Sequence, residues 1–299
     1  MPAAQASDSI GQAIEAVRAQ SYTGPMSIVV SSADEQTSEV AREHGAVVVP
    51  NPSGRTPAGL NLALAAGSAE FVARVDSQSI IPPGYLERAV EVLLETGADN
   101  VGGMQVPVAD RGWARVIAAA MSSRLGAGDA RYRIGGTPGP VETVYLGVFR
   151  RATLERLGGY DEEFIRNQDY ELNHRIRESG GVVWFDPQLR VQYRPRNSLP
   201  NLARQYFEYG RWKRAFSRRH PGSLRWRQLA PPLLVTTLAV SLIGSVFAPV
   251  LLLAPASYVV ALIAGAMTEI PRVGAAAVGL PMAWAVMHLS WGTGFIIGD

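Results

Sequence analysis

From Leu229 to Thr268 the chain carries no charged side chain. A helix crossing the hydrocarbon core of a bilayer needs about 20 apolar residues, so this run is long enough for two crossings. A buried pair of core helices is the alternative, but soluble cores seldom hold apolar runs beyond about 18 residues. Pro249 and Pro255 mark the expected hairpin between the crossings, because proline interrupts the helical ladder. Glu269, Pro271 and Arg272 are expected to form a short polar break. Val273 to Gly298 then contains only His288 as an ionisable group, and either crosses once more or lies partly in the interface.

The formal net charge is only +2, yet beyond Leu229 the charged residues are Glu269, Arg272 and Asp299 alone. Such unevenness predicts a water-soluble domain over residues 1–225 and a membrane anchor of two or three helices over 226–299. Just upstream of the apolar run lie Arg211, Lys213, Arg214, Arg218, Arg219, Arg225 and Arg227, with Glu208 the one acid among them. Positive residues flanking a crossing stay in the cytoplasm, so a multi-pass protein of the cytoplasmic membrane is expected, its soluble domain on the cytoplasmic side. Tyr206, Tyr209, Trp212 and Trp226 interleave with these cations, a pattern suited to the headgroup level. Nucleic-acid binders use similar interleaving, but beside an anchor the expected partner is the membrane and no nucleic acid. The first residues include Asp8 and Glu15 and lack the pattern of a cleaved signal peptide. With no cysteine in the chain, disulfides, thiolate metal sites and a cysteine nucleophile are excluded.

Before the anchor, helix and strand patterns alternate. Ile10, Ala13, Ile14 and Val17 trace a helix face, with Ser7 as a possible cap, and Met26–Val30 is a short apolar strand. Glu35–His44, Pro57–Ala66 and Pro83–Glu95 read as helices; Ala46–Val49 and Phe71–Val75 read as strands. This alternation predicts an α/β fold with a mainly parallel sheet covered by helices on both faces. Ligands of such sheets bind beyond the carboxyl ends of the strands, where Asp76 falls.

Two acidic positions are candidates for chemistry. Arg74-Val75-Asp76-Ser77-Gln78 puts a carboxylate at a strand end, where it either holds a divalent ion against phosphates or caps a turn. Asn167-Gln168-Asp169-Tyr170-Glu171 opens a helix, where Asp169 either complements the helix dipole or removes a proton from a hydroxyl. Thr143–Arg151, followed by Gly158-Gly159-Tyr160-Asp161-Glu162, reads as strand, helix and glycine turn. Arg211 and Trp212 pair a diphosphate-binding fork with an indole that stacks on a base or sugar.

Taken in order, these elements resemble a family 2 glycosyltransferase of the GT-A fold, in particular the membrane-bound bacterial enzymes of the succinoglycan biosynthesis type. The resemblance runs through Asn51–Asn61, Arg74–Tyr85, Asn100–Gly103, Thr143–Phe164, Gln168–Leu172, Gln205–Trp212 and His288–Phe295. It implies that Asp76 holds a divalent cation, Mn2+ or Mg2+, against the donor diphosphate, and that Asp169 is the general base of an inverting transfer. It places Arg55, Asn61, Gln78, Arg211 and Trp212 toward the donor, and Tyr160, Asp161 and Gln168 toward the acceptor. The implied partners are a nucleotide-diphosphate sugar, with a UDP-sugar favoured, and a lipid-linked or polysaccharide acceptor.

Four departures from the family pattern bear on this reading. The opening apolar strand is expected to be missing, since the sequence starts at Met1-Pro2. Asp34 is displaced along its loop from the position that reads the base. Glutamine stands at Gln78 and at Gln168 where the family carries acids, and loss of the acid at 168 should lower the pKa of Asp169. A degenerate, non-catalytic member that binds a glycan or partner is therefore the alternative. A transporter is a weaker one, because its helices would carry a charged pathway.

Overall fold

The computed structural model describes residues 1–298, so Asp299 lies outside the described residues. The chain divides into two compact units: residues 1–106 with 131–193, and residues 107–130 with 194–299. The second unit thus takes up the chain at Arg194, upstream of the boundary at 225 expected from charge.

The first unit opens with β1 (Pro2–Ala3), α1 (Ser7–Arg18), β2 (Val29–Ser32), α2 (Glu35–Glu43), β3 (Val47–Pro50), α3 (Thr56–Ala65), β4 (Phe71–Ala73), α4 (Tyr85–Thr96) and β5 (Asn100–Pro107). The chain then enters the second unit as α5 (Gly112–Met121) and α6 (Arg124–Ala127). It returns as α7 (Arg131–Ile134), β6 (Gly139–Pro140), β7 (Tyr145–Arg150), α8 (Arg151–Arg156), α9 (Gln168–Glu178) and β8 (Val183–Tyr193).

Strands β1, β2 and β3 form a parallel sheet in that order. Strand β1, two residues long, lies at the edge of this sheet. Pro2 and Ala3 pair with Ser31 and Ser32, and the Met1 amino group donates to Val29 O at 2.7 Å. Alternation in the sequence did not reveal a second sheet, ordered β4-β7-β5-β8-β6, in which β4 and β5 each run antiparallel to β7 and β6 antiparallel to β8. An apolar cavity of about 400 Å³ lies where Val29 of the first sheet and Ile28 just before it approach Phe71, Val72 and Ala73 of the second, with Arg74 and Tyr160 in its wall.

The helices form where the periodicity predicts. Ile10, Ala13, Ile14 and Val17 are buried along α1, as are Leu86, Ala89, Val92 and Leu93 along α4. Asp34 caps α2: its Oδ1 accepts from Thr37 N and its Oδ2 from Gln5 N, each at 2.8 Å. Those two amides hold its carboxyl below the ordinary range, and they leave both oxygens engaged in structure. On β5, Gly103 passes so close to β8 that a Cβ would sit 1.7 Å from Leu189 O. Gly103→Ala is therefore expected to destabilise the protein by about 3 kcal/mol, the upper part of the overpacking range, which thermal unfolding in detergent would read.

In the second unit, α10 (Leu199–Arg219) is followed by α11 (Trp226–Gly244), α12 (Leu253–Val273) and α13 (Leu280–Ile297). Two helical stretches, Trp226–Gly244 and Pro249–Ile297, are long and apolar enough to cross a membrane. Over α11 and α12 they are not core helices: Ile243 and Val260 are 70% and 64% exposed, and Leu233, Val240 and Met267 also face outward, whereas α13 buries Leu280, Ala283, Trp284 and Met287. The break after α11 falls at Pro249 as expected, whereas Pro255 sits inside the first turn of α12. The expected polar break at Glu269–Arg272 is helical instead. Arg272 pairs with Glu269 and donates to Ala119 O, which satisfies its charge within the helix, and α12 ends instead at Val273, before Gly274 at φ 59°.

Helix α10 buries Leu202, Tyr206, Gly210, Lys213 and Phe216 on one face. It lies tightly on α13, where a Cβ on Gly210 would meet Trp291 O at 2.0 Å and one on Gly294 would meet Phe207 O at 2.1 Å. Arg214 donates to Phe295 O at 2.9 Å and also to Ile296 O, so this cation closes the carbonyl end of α13.

Candidate active site

The strand-end aspartate and the helix-start aspartate meet on one arginine. Arg74 follows β4 directly, and its side chain is only 7% exposed. Its Nε donates to Asp76 Oδ1 at 3.0 Å, and its Nη1 donates to Asp169 Oδ1. Asp76 sits in a turn closed by Ser79 N donating to Asp76 O at 2.9 Å. Asp169 is the second residue of α9, after Asn167 at φ 61°, a conformation asparagine tolerates better than most residues. There the helix dipole favours its negative charge.

Each group shifts its neighbours. Burial raises the Asp169 carboxyl above the ordinary range, Arg74 pulls it back, and Asp76 pushes it up again. Burial, the largest effect, thus outweighs the lowering expected from Gln168, and Asp76 adds to it. Burial also opposes the charge on Arg74, but Asp169 and then Asp76 overcome it, and the net shift is upward. The buried Tyr160 hydroxyl is pushed up by burial and then by Asp169. Tyr145, 3.2 Å from Ser79 Oγ, is raised to about 12 by burial and then by Asp76. Both phenols stay protonated at neutral pH and offer a proton for hydrogen bonding.

Two side chains hold the glycine turn beside this cluster. Asn61 on α3 donates to Tyr160 O at 2.9 Å and to Glu162 Oε1 at 3.0 Å, and accepts from Tyr160 N at 2.8 Å. It therefore reaches Tyr160 through the backbone. From α9, Arg175 donates to Leu157 O and Gly159 O, and grips both oxygens of the buried Glu171 at 2.7 Å. Gly159 passes between these anchors at φ 73°, with Asn61 Oδ1 only 2.5 Å from where a Cβ would stand. Asp161 Oδ1 accepts from Glu163 N within the same turn.

The remaining expected site residues are less constrained. Arg55 is an exposed residue capping the start of α3, Gln78 is exposed two residues beyond Asp76, and Gln168 is the half-buried first residue of α9. Arg211 and Trp212 belong to α10 in the second unit, where the Arg211 guanidinium lies 6.0 Å from the Trp212 ring centre and 3.9 Å from Glu208 Oε1. The residue that sequence reasoning left without a role is Arg74. The signal was available: side chains two apart on an extended segment share a face, which puts Arg74 beside Asp76.

The donor set suits a hard divalent cation that brings other ligands with it. Asp76 has one oxygen on Arg74 and a side chain 35% exposed, with the Gln78 amide two residues on. Among the described residues no group of three acidic, histidine or cysteine side chains is poised for a metal. Oxygen ligands from a diphosphate and water would have to complete such a site.

A family profile described as "Glycosyltransferase like family 2" matches residues 1–215. The chain belongs to this family. Succinoglycan biosynthesis protein ExoA of Rhizobium meliloti is 34% identical over 184 residues, 60% of this chain and 56% of that protein. The chain thus spans little more than half the length of that relative. The uncharacterized glycosyltransferase Rv0539 of Mycobacterium tuberculosis is 32% identical over 190 residues, 62% of this chain and 81% of that one.

Among solved structures, the mannosyltransferase PcManGT of Pyrobaculum calidifontis, in complex with GDP-Man and Mn2+, superposes with a TM-score of 0.61 at 18% identity. It covers 99% of this chain and 84% of its own. S. aureus TarS 1–349 in complex with UDP gives 0.51 at 16% identity, covering 99% and 88%. These likenesses establish the expected fold: a GT-A-like α/β domain with a parallel sheet flanked by helices, to which the apolar C-terminal helices are added.

Proposed function

We propose that this family 2 member is an inverting transferase that moves a sugar from a nucleotide-diphosphate donor to a hydroxyl of a lipid-linked or polysaccharide acceptor. The observation that carries the reading is the pairing of Asp76, at a strand end, with Asp169, at a helix start, through a single buried arginine. The family match and the similarity to a succinoglycan biosynthesis protein support the substrate class. A UDP-sugar is the donor we favour; that the donor is a nucleotide sugar is supported by the superposed structures, which are complexes with GDP-Man and with UDP. The two exposed apolar stretches support association with a membrane, and the cations ahead of them are of the kind that stays on the cytoplasmic side.

In this mechanism Asp169 takes the proton from the attacking hydroxyl as the bond between anomeric carbon and diphosphate breaks on the opposite face. Arg74 holds the base in place, and the protonated Tyr160 closes the cluster. Asp76, with Gln78 beside it, would hold a divalent ion whose chemistry is to offset charge on the leaving diphosphate.

The test is donor binding and hydrolysis by the purified protein in detergent, across a panel of nucleotide sugars with and without Mn2+. Metal-dependent binding of one donor is expected, and Asp76→Ala should weaken it about tenfold or more while leaving the fold intact. Binding of no donor at all would favour the non-catalytic reading, for which the glutamines at 78 and 168 are the specific observation.

A further inference from the structure

We propose that Arg74 is an internal counter-cation: it occupies Asp76 and Asp169 in the donor-free protein and gives up Asp76 when the diphosphate and its divalent ion arrive. The inference rests on the donor site proposed above, and adds a step that the family assignment does not contain.

Three observations carry it. Arg74 is 7% exposed, and two of its nitrogens reach carboxylates on two different elements, one beyond β4 and one on α9. A guanidinium is always charged and presents its donors in a rigid plane, so one arginine can hold two carboxylates at a set spacing. Next, the cluster carries two negative charges against one positive. Two nearby carboxylates do not both ionise comfortably without a cation between them, and here Arg74 is that cation. Finally, no three-membered metal-ligating group exists among the described residues. With one oxygen of Asp76 and one of Asp169 held by Arg74, the donor-free protein presents too little free carboxylate to retain a divalent ion alone. Metal and nucleotide therefore enter together, the phosphate oxygens supplying the ligands that the protein lacks, while Arg74 keeps its contact with Asp169.

Removing the guanidinium should turn the pair into a metal trap. Mn2+ alone, without nucleotide, is titrated into the full chain in non-ionic detergent and free Mn2+ is followed by electron paramagnetic resonance. Arg74→Met is expected to bind Mn2+ about tenfold more tightly than the unsubstituted protein, since two carboxylates then face one another without a cation. Arg74→Lys, which keeps the charge but loses the fork, should gain much less. The gain should vanish when Asp76→Ala is added. Should Arg74→Met fail to fold, Arg74→Gln carries the same test with a polar neutral side chain in the space. Folded neutral variants that bind Mn2+ no better than the starting protein overturn the proposal. The titration reads the carboxylate pair directly, so a protein without transferase turnover can still show the gain, and an active transferase can still lack it.

Discussion

Asp169→Asn is expected to lower kcat by about 10³-fold, within the range that a general base contributes, while donor affinity changes less than about twofold. The amide keeps the shape of the carboxylate but cannot accept the hydroxyl proton, and Arg74 retains its bond to Asp76. Single-turnover kinetics with a bound donor would separate this loss from any loss of binding, and unchanged turnover would remove Asp169 from the base role. The pH profile gives a second reading. A base works in its deprotonated form, and burial together with Asp76 raises the Asp169 carboxyl despite Arg74. Activity should therefore fall on the acid side at a pH above the ordinary aspartate range, near 3.9, and that limb should be absent from the residual rate of Asp169→Asn.

The largest stability effect is expected at Arg175. Its guanidinium grips both oxygens of Glu171, whose side chain is 1% exposed, and donates to two carbonyls of the glycine turn. Arg175→Met leaves a buried carboxylate without that cation, a loss of about 3 to 5 kcal/mol for a broken buried pair. Replacing both partners, Glu171→Leu with Arg175→Met, should recover much of that loss, because the stranded charge is gone. Thermal unfolding of the three variants in detergent decides the matter; equal destabilisation by the single and double changes would show that the carbonyl contacts, and not the ion pair, hold the turn. Since Tyr160 follows Gly159 directly, the single variant should also slow turnover.

Local pattern was enough for most of the first unit's opening half. The faces of α1 and α4 were visible because buried apolar residues recur with the helical period, and Asp34 ahead of α2 has the spacing of a cap. The strand end at Asp76 and the helix start at Asp169 were legible for the same reason, since turn and cap chemistry involve neighbours in sequence. The membrane stretches were legible from the absence of charge alone, and their exposure in the structure agrees.

What the sequence by itself determined, then, was the order and kind of the elements up to α4, the apolar stretches and the two acidic positions, because periodicity, capping and hydropathy act over a few residues. Tertiary structure decided the rest: the second sheet with its antiparallel pairs, the helical path through Glu269–Arg272, the tying of Asn61 to the glycine turn, and above all the meeting of Asp76 and Asp169, 93 positions apart in the chain, on the buried Arg74. An arginine in a strand pattern looks like any surface cation until the fold removes it from water, and only then do the two carboxylates that keep it charged become part of the site.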